Sequence, residues 1–128
     1  MIVIDTDILI WILRGKTDVA DQFKETVSAT KGFVYITPIQ VAEVFAGIRD
    51  GELLKTEEFL DSLLRLPLDY RAGREAGSFL NQFKASHNTT LADSLIAAVT
   101  RINAFKLWTL NRKHYPMLEP ADFWELQP

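Results

Sequence analysis

The chain opens with the apolar run MIVI, residues 1–4, which breaks off at Asp5 and Asp7. A short apolar run without alternation predicts a strand buried on both faces. Residues 8–14 are apolar and helix-compatible, and Gly15 closes them as a C-terminal stop. Asp18 is the expected N-cap of a second helix. Its apolar Val19, Phe23 and Val27 recur at helical spacing until Thr30, Lys31 and Gly32. FVYIT, residues 33–37, is β-branched and aromatic, bounded by Gly32 and Pro38, and predicts a second buried strand. Thr37 as N-cap and Pro38 at the first helical position then open a helix over residues 39–48. Its apolar positions include Val41, Val44, Phe45 and Ile48, and its single acid is Glu43.

Asp50-Gly51 marks a turn, and residues 53–64 carry the next helical pattern, with Glu57 and Glu58 on its wet side. Residues 66–69 suggest a short strand, placed at an edge by Pro67. Asp69 caps a helix expected over residues 70–85, with Ala72, Ala76, Phe79, Leu80 and Phe83 on its buried stripe. Gly73 and Gly77, four apart, would admit a close neighbour. Residues 86–90 form a polar loop that leaves His87 exposed, and a strongly apolar helix spans residues 91–102. Asp93 is its only ionisable residue before Arg101. KLWTL, residues 106–110, predicts a further strand, residues 111–116 the loop at its end, and FWEL, 123–126, a last short strand or a surface wrap. Strands alternating with helices across short loops predict an α/β fold with a parallel sheet covered by helices on both faces.

Composition narrows the chemistry. A length of 128 residues predicts one domain, 1–128, able to bury a core without staples. With 48% hydrophobic and 24% charged residues, no tract reads as disordered. The absence of cysteine removes disulfides, thiolate metal sites and cysteine nucleophiles, and is compatible with a reducing cytoplasm, the expected location. The apolar start lacks a positive n-region and contains two acids, so it reads as mature core and not as a signal peptide. No uncharged run is long enough to span a membrane. A net charge of −3 argues mildly against holding nucleic acid by bulk electrostatics but does not exclude a nuclease, whose acidic cluster metal would neutralise locally.

Asp5, Glu43 and Asp93 share a property: each interrupts an apolar segment near the start of a helix. Right-handed crossovers would converge them in the crevice outside the carboxyl ends of the strands, where open α/β sheets bind ligands. An oxygen-only, carboxylate-rich site suits Mg²⁺ or Mn²⁺ and not Zn²⁺. Such an ion polarises a phosphodiester and lowers the pKa of the attacking water. Plain structural roles stand beside this: Asp93 and Thr90 as caps, Glu43 as a partner of its helix dipole, and Asp7 as the cap of the first helix.

The strand ending in Asp5-Thr6-Asp7, PIQVAEVFAGI with Glu43, LADSLIAA with Asp93, and LWTLNRKHYP together resemble PIN-domain ribonucleases, most closely the VapC-type toxins of toxin–antitoxin pairs. The resemblance runs over nearly the whole chain. It implies a three-layer α/β/α sandwich, divalent-metal-dependent endoribonuclease activity on RNA, a cognate antitoxin and a homodimer. Asp5, Glu43 and Asp93 match the family's three core carboxylates, catalytic and metal-binding, and Thr6 its small hydroxyl position. Many members carry a fourth acid in the segment matching residues 111–115. Here that segment holds none, which leaves one ion or two open. Asn111 and His114 are the second-rank candidates there, with Asp7, and Arg112 and Lys113 are either phosphate contacts or a solvated loop. Arg14, Lys16 and Arg49 would extend a rim for RNA. Trp11, Phe45, Ile48 and Leu53 are either core or the lining of an antitoxin groove.

Two other readings compete. A haloacid-dehalogenase-type phosphatase also opens with a hydrophobic strand and Asp-x-Asp, but needs a later paired acidic motif that the C-terminal half lacks. A non-catalytic PIN-like interaction module is the other, because of the missing fourth acid.

Overall fold

The computed structural model describes residues 1–127. Four strands, β1 (Ile2–Ile4), β2 (Val34–Ile36), β3 (Leu64–Arg65) and β4 (Lys106–Trp108), form one sheet in the order β3-β2-β1-β4, with every pairing parallel. Six helices surround it: α1 (Thr6–Leu13), α2 (Thr17–Thr30), α3 (Pro38–Ala46), α4 (Leu53–Asp61), α5 (Tyr70–His87) and α6 (Leu91–Ile102). The strand order steps outward from β1 to β3 and then returns to the other side of β1 with β4. The crevice between the ends of β1 and β4 is therefore the topological switch point.

The pleat divides the core in two. Ile2 and Ile4 of β1, with Ile36 and Trp108, pack against Ile8, Leu9, Val19, Val44 and Leu60 on the side of α1 to α4. Val3 and Leu107 point the other way, into Ala72, Ala76, Phe79, Ile96 and Val99 of α5 and α6. This is the expected three-layer sandwich.

Several boundaries move, each for a local reason. Asp5, not Asp7, is the N-cap of α1, because its carboxylate accepts from the Thr6 N–H at 2.8 Å, while Asp7 sits in the first turn. Lys16 takes the N-cap position of α2 and leaves Asp18 in the first turn, favourably placed for the helix dipole. Helix α4 ends at Asp61, so that Leu64 and Arg65 pair with Tyr35 and Ile36, and the edge strand precedes Pro67 instead of containing it. Strand β4 stops at Trp108. Helix α5 continues to His87, exposed in its last turn, and ends where Asn88 turns left-handed at φ 52°. No atom lies within contact distance of a Cβ built on Gly73 or Gly77, so no element of the fold uses that close approach. Beyond β4 the tail adds one parallel bridge, Leu107 with Phe123, in place of a full strand. No helix among the described residues is long and apolar enough to cross a membrane.

Candidate active site

The helix starts behind β1 and β2 position the first two acids. Asp5 follows β1 directly and is buried at 8% exposure. Its Oδ1 caps α1, and its Oδ2 accepts from the Thr109 hydroxyl at 2.7 Å and the Tyr115 hydroxyl at 2.9 Å. Glu43 is exposed on α3, and its Oε1 accepts from the Thr6 hydroxyl at 2.8 Å. The orientation of α3 is set by a capping box: Thr37 caps the Ile39 N–H, Gln40 accepts from the Thr37 N–H, and the Gln40 Nε2 donates across to the Ile4 carbonyl at 3.1 Å. A buried amide thereby ties the helix of Glu43 to the strand of Asp5.

Asp93, in the first turn of α6, receives its own cap bond from Thr90, whose hydroxyl accepts from the Asp93 N–H at 3.1 Å. Its Oδ1 lies 3.3 Å from the Tyr115 hydroxyl. Asp5 and Asp93 thus share one buried phenol. Asp7 turns aside, its carboxylate accepting from the N–H of Ile8 and Leu110 and from the Asn111 side-chain amide at 2.9 Å. Asn111 is therefore engaged with Asp7, and its own N–H donates to the Thr109 hydroxyl.

The cluster is short of positive charge. Among the described residues no Lys or Arg pairs with Asp5, Asp7, Glu43 or Asp93, and the His114 Nδ1 stands 4.0 Å from the Asp93 Oδ2. Burial, together with the charge of Asp5, raises the Asp7 carboxyl to about 6. The same two causes push Asp93 upward. Burial and the neighbouring Asp5 and Asp93 charges hold the Tyr115 phenol far above its ordinary range, so it stays a hydrogen-bond donor.

The remaining candidates fall outside this centre. Arg112 pairs with Glu125 and lies over the Phe123 ring, facing the tail, and Lys113 is exposed. Trp11 and Leu53 are exposed at 44% and 56%, while Phe45 and Ile48 are half-buried.

Thr109 and Tyr115 went unremarked as site residues in the sequence. Thr109 reaches Asp5 only through the register that pairs Ile4 with Trp108 and sets the residue after β4 beside the residue after β1, which the sequence does not signal. Tyr115 had no signal either, since it lies in a segment that reads as loop.

The donor set suits a divalent ion. It is made of oxygens and negatively charged, and among the described residues no Lys or Arg competes for it. Among the described residues no three His, Cys, Asp or Glu side chains form a ready-made metal cage.

The sequence pattern of the family described as PIN domain matches residues 2–117. The chain belongs to the PIN-domain family. This PIN domain is 36% identical over 121 residues to Ribonuclease VapC10 of Mycobacterium tuberculosis, covering 93% of this chain and 89% of that protein. It is 29% identical over 129 residues to Ribonuclease VapC19 of the same organism, covering 100% and 98%. Its fold matches a chain in the crystal structure of DNA-bound VapBC from Salmonella typhimurium with a TM-score of 0.79 at 18% identity, over 97% and 96% of the two chains. These likenesses leave the phosphatase reading without support.

Proposed function

We propose that this PIN domain is a divalent-metal-dependent endoribonuclease acting as the toxin of a toxin–antitoxin pair. The observation that carries the reading is the gathering of Asp5, Glu43 and Asp93 at the switch point of a parallel sheet, linked through Thr6 and Tyr115, with no Lys or Arg among the described residues to balance them. The family and the ribonucleases it resembles give that cluster its chemistry. Asp5 and Asp93 would hold the ion, Mg²⁺ or Mn²⁺, with Glu43 at the open side. When bound, it would polarise the scissile phosphodiester and acidify the attacking water.

The chain's own residues prepare that step. Three donors from three segments fix the Asp5 carboxylate before any ligand arrives, so little orientation is lost on binding. Thr6, whose N–H donates to Asp5, holds the exposed Glu43 through its hydroxyl, and Glu43 would take the proton released by the attacking water. Asp5→Asn and Glu43→Gln are expected to abolish Mg²⁺-dependent cleavage of single-stranded RNA while circular dichroism shows an intact fold. Undiminished cleavage by Asp5→Asn would remove Asp5 from the site.

The antitoxin, on this reading, lays an apolar helix against the surface that carries the exposed Trp11 and Leu53. A homodimer is the expected unit, and light scattering would give twice the 14.6 kDa of one chain.

A further inference from the structure

Tyr115 is 1% exposed, and its ring is packed in the core among Met117, Leu118 and the α5–α6 residues. A ring held on all sides aims its hydroxyl in one direction. That direction is the gap between two acids on different elements, Asp5 at the start of α1 and Asp93 at the start of α6. The oxygen lies 2.9 Å from Asp5 Oδ2 and 3.3 Å from Asp93 Oδ1. Among the described residues it is the one side chain that hydrogen-bonds both carboxylates. Thr109 donates to Asp5 alone, Thr90 serves Asp93 alone, and Thr6 serves Glu43.

We propose that Tyr115 is a positioning residue of the metal site, its hydroxyl holding Asp5 and Asp93 at a separation one divalent ion can take. The proposal rests on the metal-dependent reading above. Two carboxylates with no cation between them repel; Asp5 keeps the Thr6 N–H and Thr109 as further donors, whereas Tyr115 is the donor the described residues offer to the Asp93 carboxylate. One proton shared between them opposes that repulsion at the point where the ion will enter. A phenylalanine would fill the same core volume, so packing alone does not call for the oxygen. Groups that orient metal ligands from behind typically change metal affinity by about 10- to 100-fold when removed.

Calorimetric titration with Mn²⁺ tests the idea on three proteins. In Tyr115→Phe the Kd is expected to rise about tenfold or more over wild type. Thr109→Val, which removes a donor from Asp5 without touching Asp93, should raise it less. A Tyr115→Phe Kd equal to wild type overturns the proposal and leaves the metal reading standing. Equal losses in the two variants overturn it too, because orientation of Asp5 alone would then account for both. Failure of wild type to bind Mn²⁺ overturns the metal reading and this proposal with it.

A second measurement needs no variant to fold. With ¹³C-labelled tyrosine, Mg²⁺ should shift the Tyr115 Cζ resonance and leave those of Tyr35, packed on Phe105, and the exposed Tyr70 in place. A Tyr115 resonance that stays put while the ion binds overturns the proposal.

Discussion

Asp7 separates two kinds of acid in one short motif. Asp5 is capped, bonded and buried at the switch point, whereas Asp7, two residues on, is half-buried and turned to the Leu110–Asn111 backbone and side chain. Its carboxyl is raised to about 6 by burial and by Asp5. Between the unfolded value near 4 and this folded value, the native state holds a proton that the unfolded chain has released. Ionised Asp7 therefore weakens the metal-free fold above pH 6, and the penalty is relieved as pH falls toward 4. The isosteric Asp7→Asn carries no such charge. In chelator, the stability of wild type relative to Asp7→Asn should drop by about 1–2 kcal/mol from pH 4 to pH 7, after allowance for solvent screening. Thermal melts at the two pH values would show it, and a constant difference would contradict the assignment.

Helix α3 is more than a carrier of Glu43. Its first turn is locked by Thr37, Pro38 and Gln40, and Gln40, fully buried, reaches the Ile4 carbonyl one residue before Asp5. The spacing between two proposed ligands thus depends on one amide. Gln40→Leu keeps the volume roughly but strands the Ile4 carbonyl and removes the acceptor for the Thr37 N–H. Urea denaturation should report a loss of about 2–6 kcal/mol, about 1–3 kcal/mol for each of the two orphaned groups. RNA cleavage measured where the variant is still folded should fall as well, since α3 is then free to shift. A variant as active as wild type would mean that Glu43 needs no such anchoring.

The molecule as a whole concentrates acid where its sheet opens. The Lys and Arg ion pairs among the described residues lie at Asp61 with Arg65 and at Arg112 with Glu125, away from the crevice, and His114, 4.0 Å from Asp93, is the basic group paired with the acids there, so the acids at the switch point repel one another in the metal-free fold. A ligand that binds only the folded state stabilises it by mass action. Mn²⁺ at about 100 times its Kd should add about 2.7 kcal/mol, roughly 10 °C in Tm for a domain of this size. Asp93→Asn should remove most of that gain, and an equal gain in Asp93→Asn would place the ion elsewhere.

Local pattern was enough for the strands β1, β2 and β4 and the capped start of α3, and it singled out the three acids that the fold links through Thr6 and Tyr115. An acid inside an apolar run is costly unless something meets it, and that cost is visible without neighbours. It was also enough for the layered parallel architecture, because alternating strands and helices with short connections leave few other topologies. The partners of those acids needed the folded chain. Thr109 and Tyr115 stand 104 and 110 residues from Asp5, and only the pairing of β4 with β1 and the packing of the 111–116 segment bring them to it. Arg112 reads in the sequence as either a phosphate contact or part of a solvated loop, and in the fold it pairs with Glu125. Which way a polar side chain points depends on crossover, register and the space left by the core, and none of these is written in the residues on either side of it.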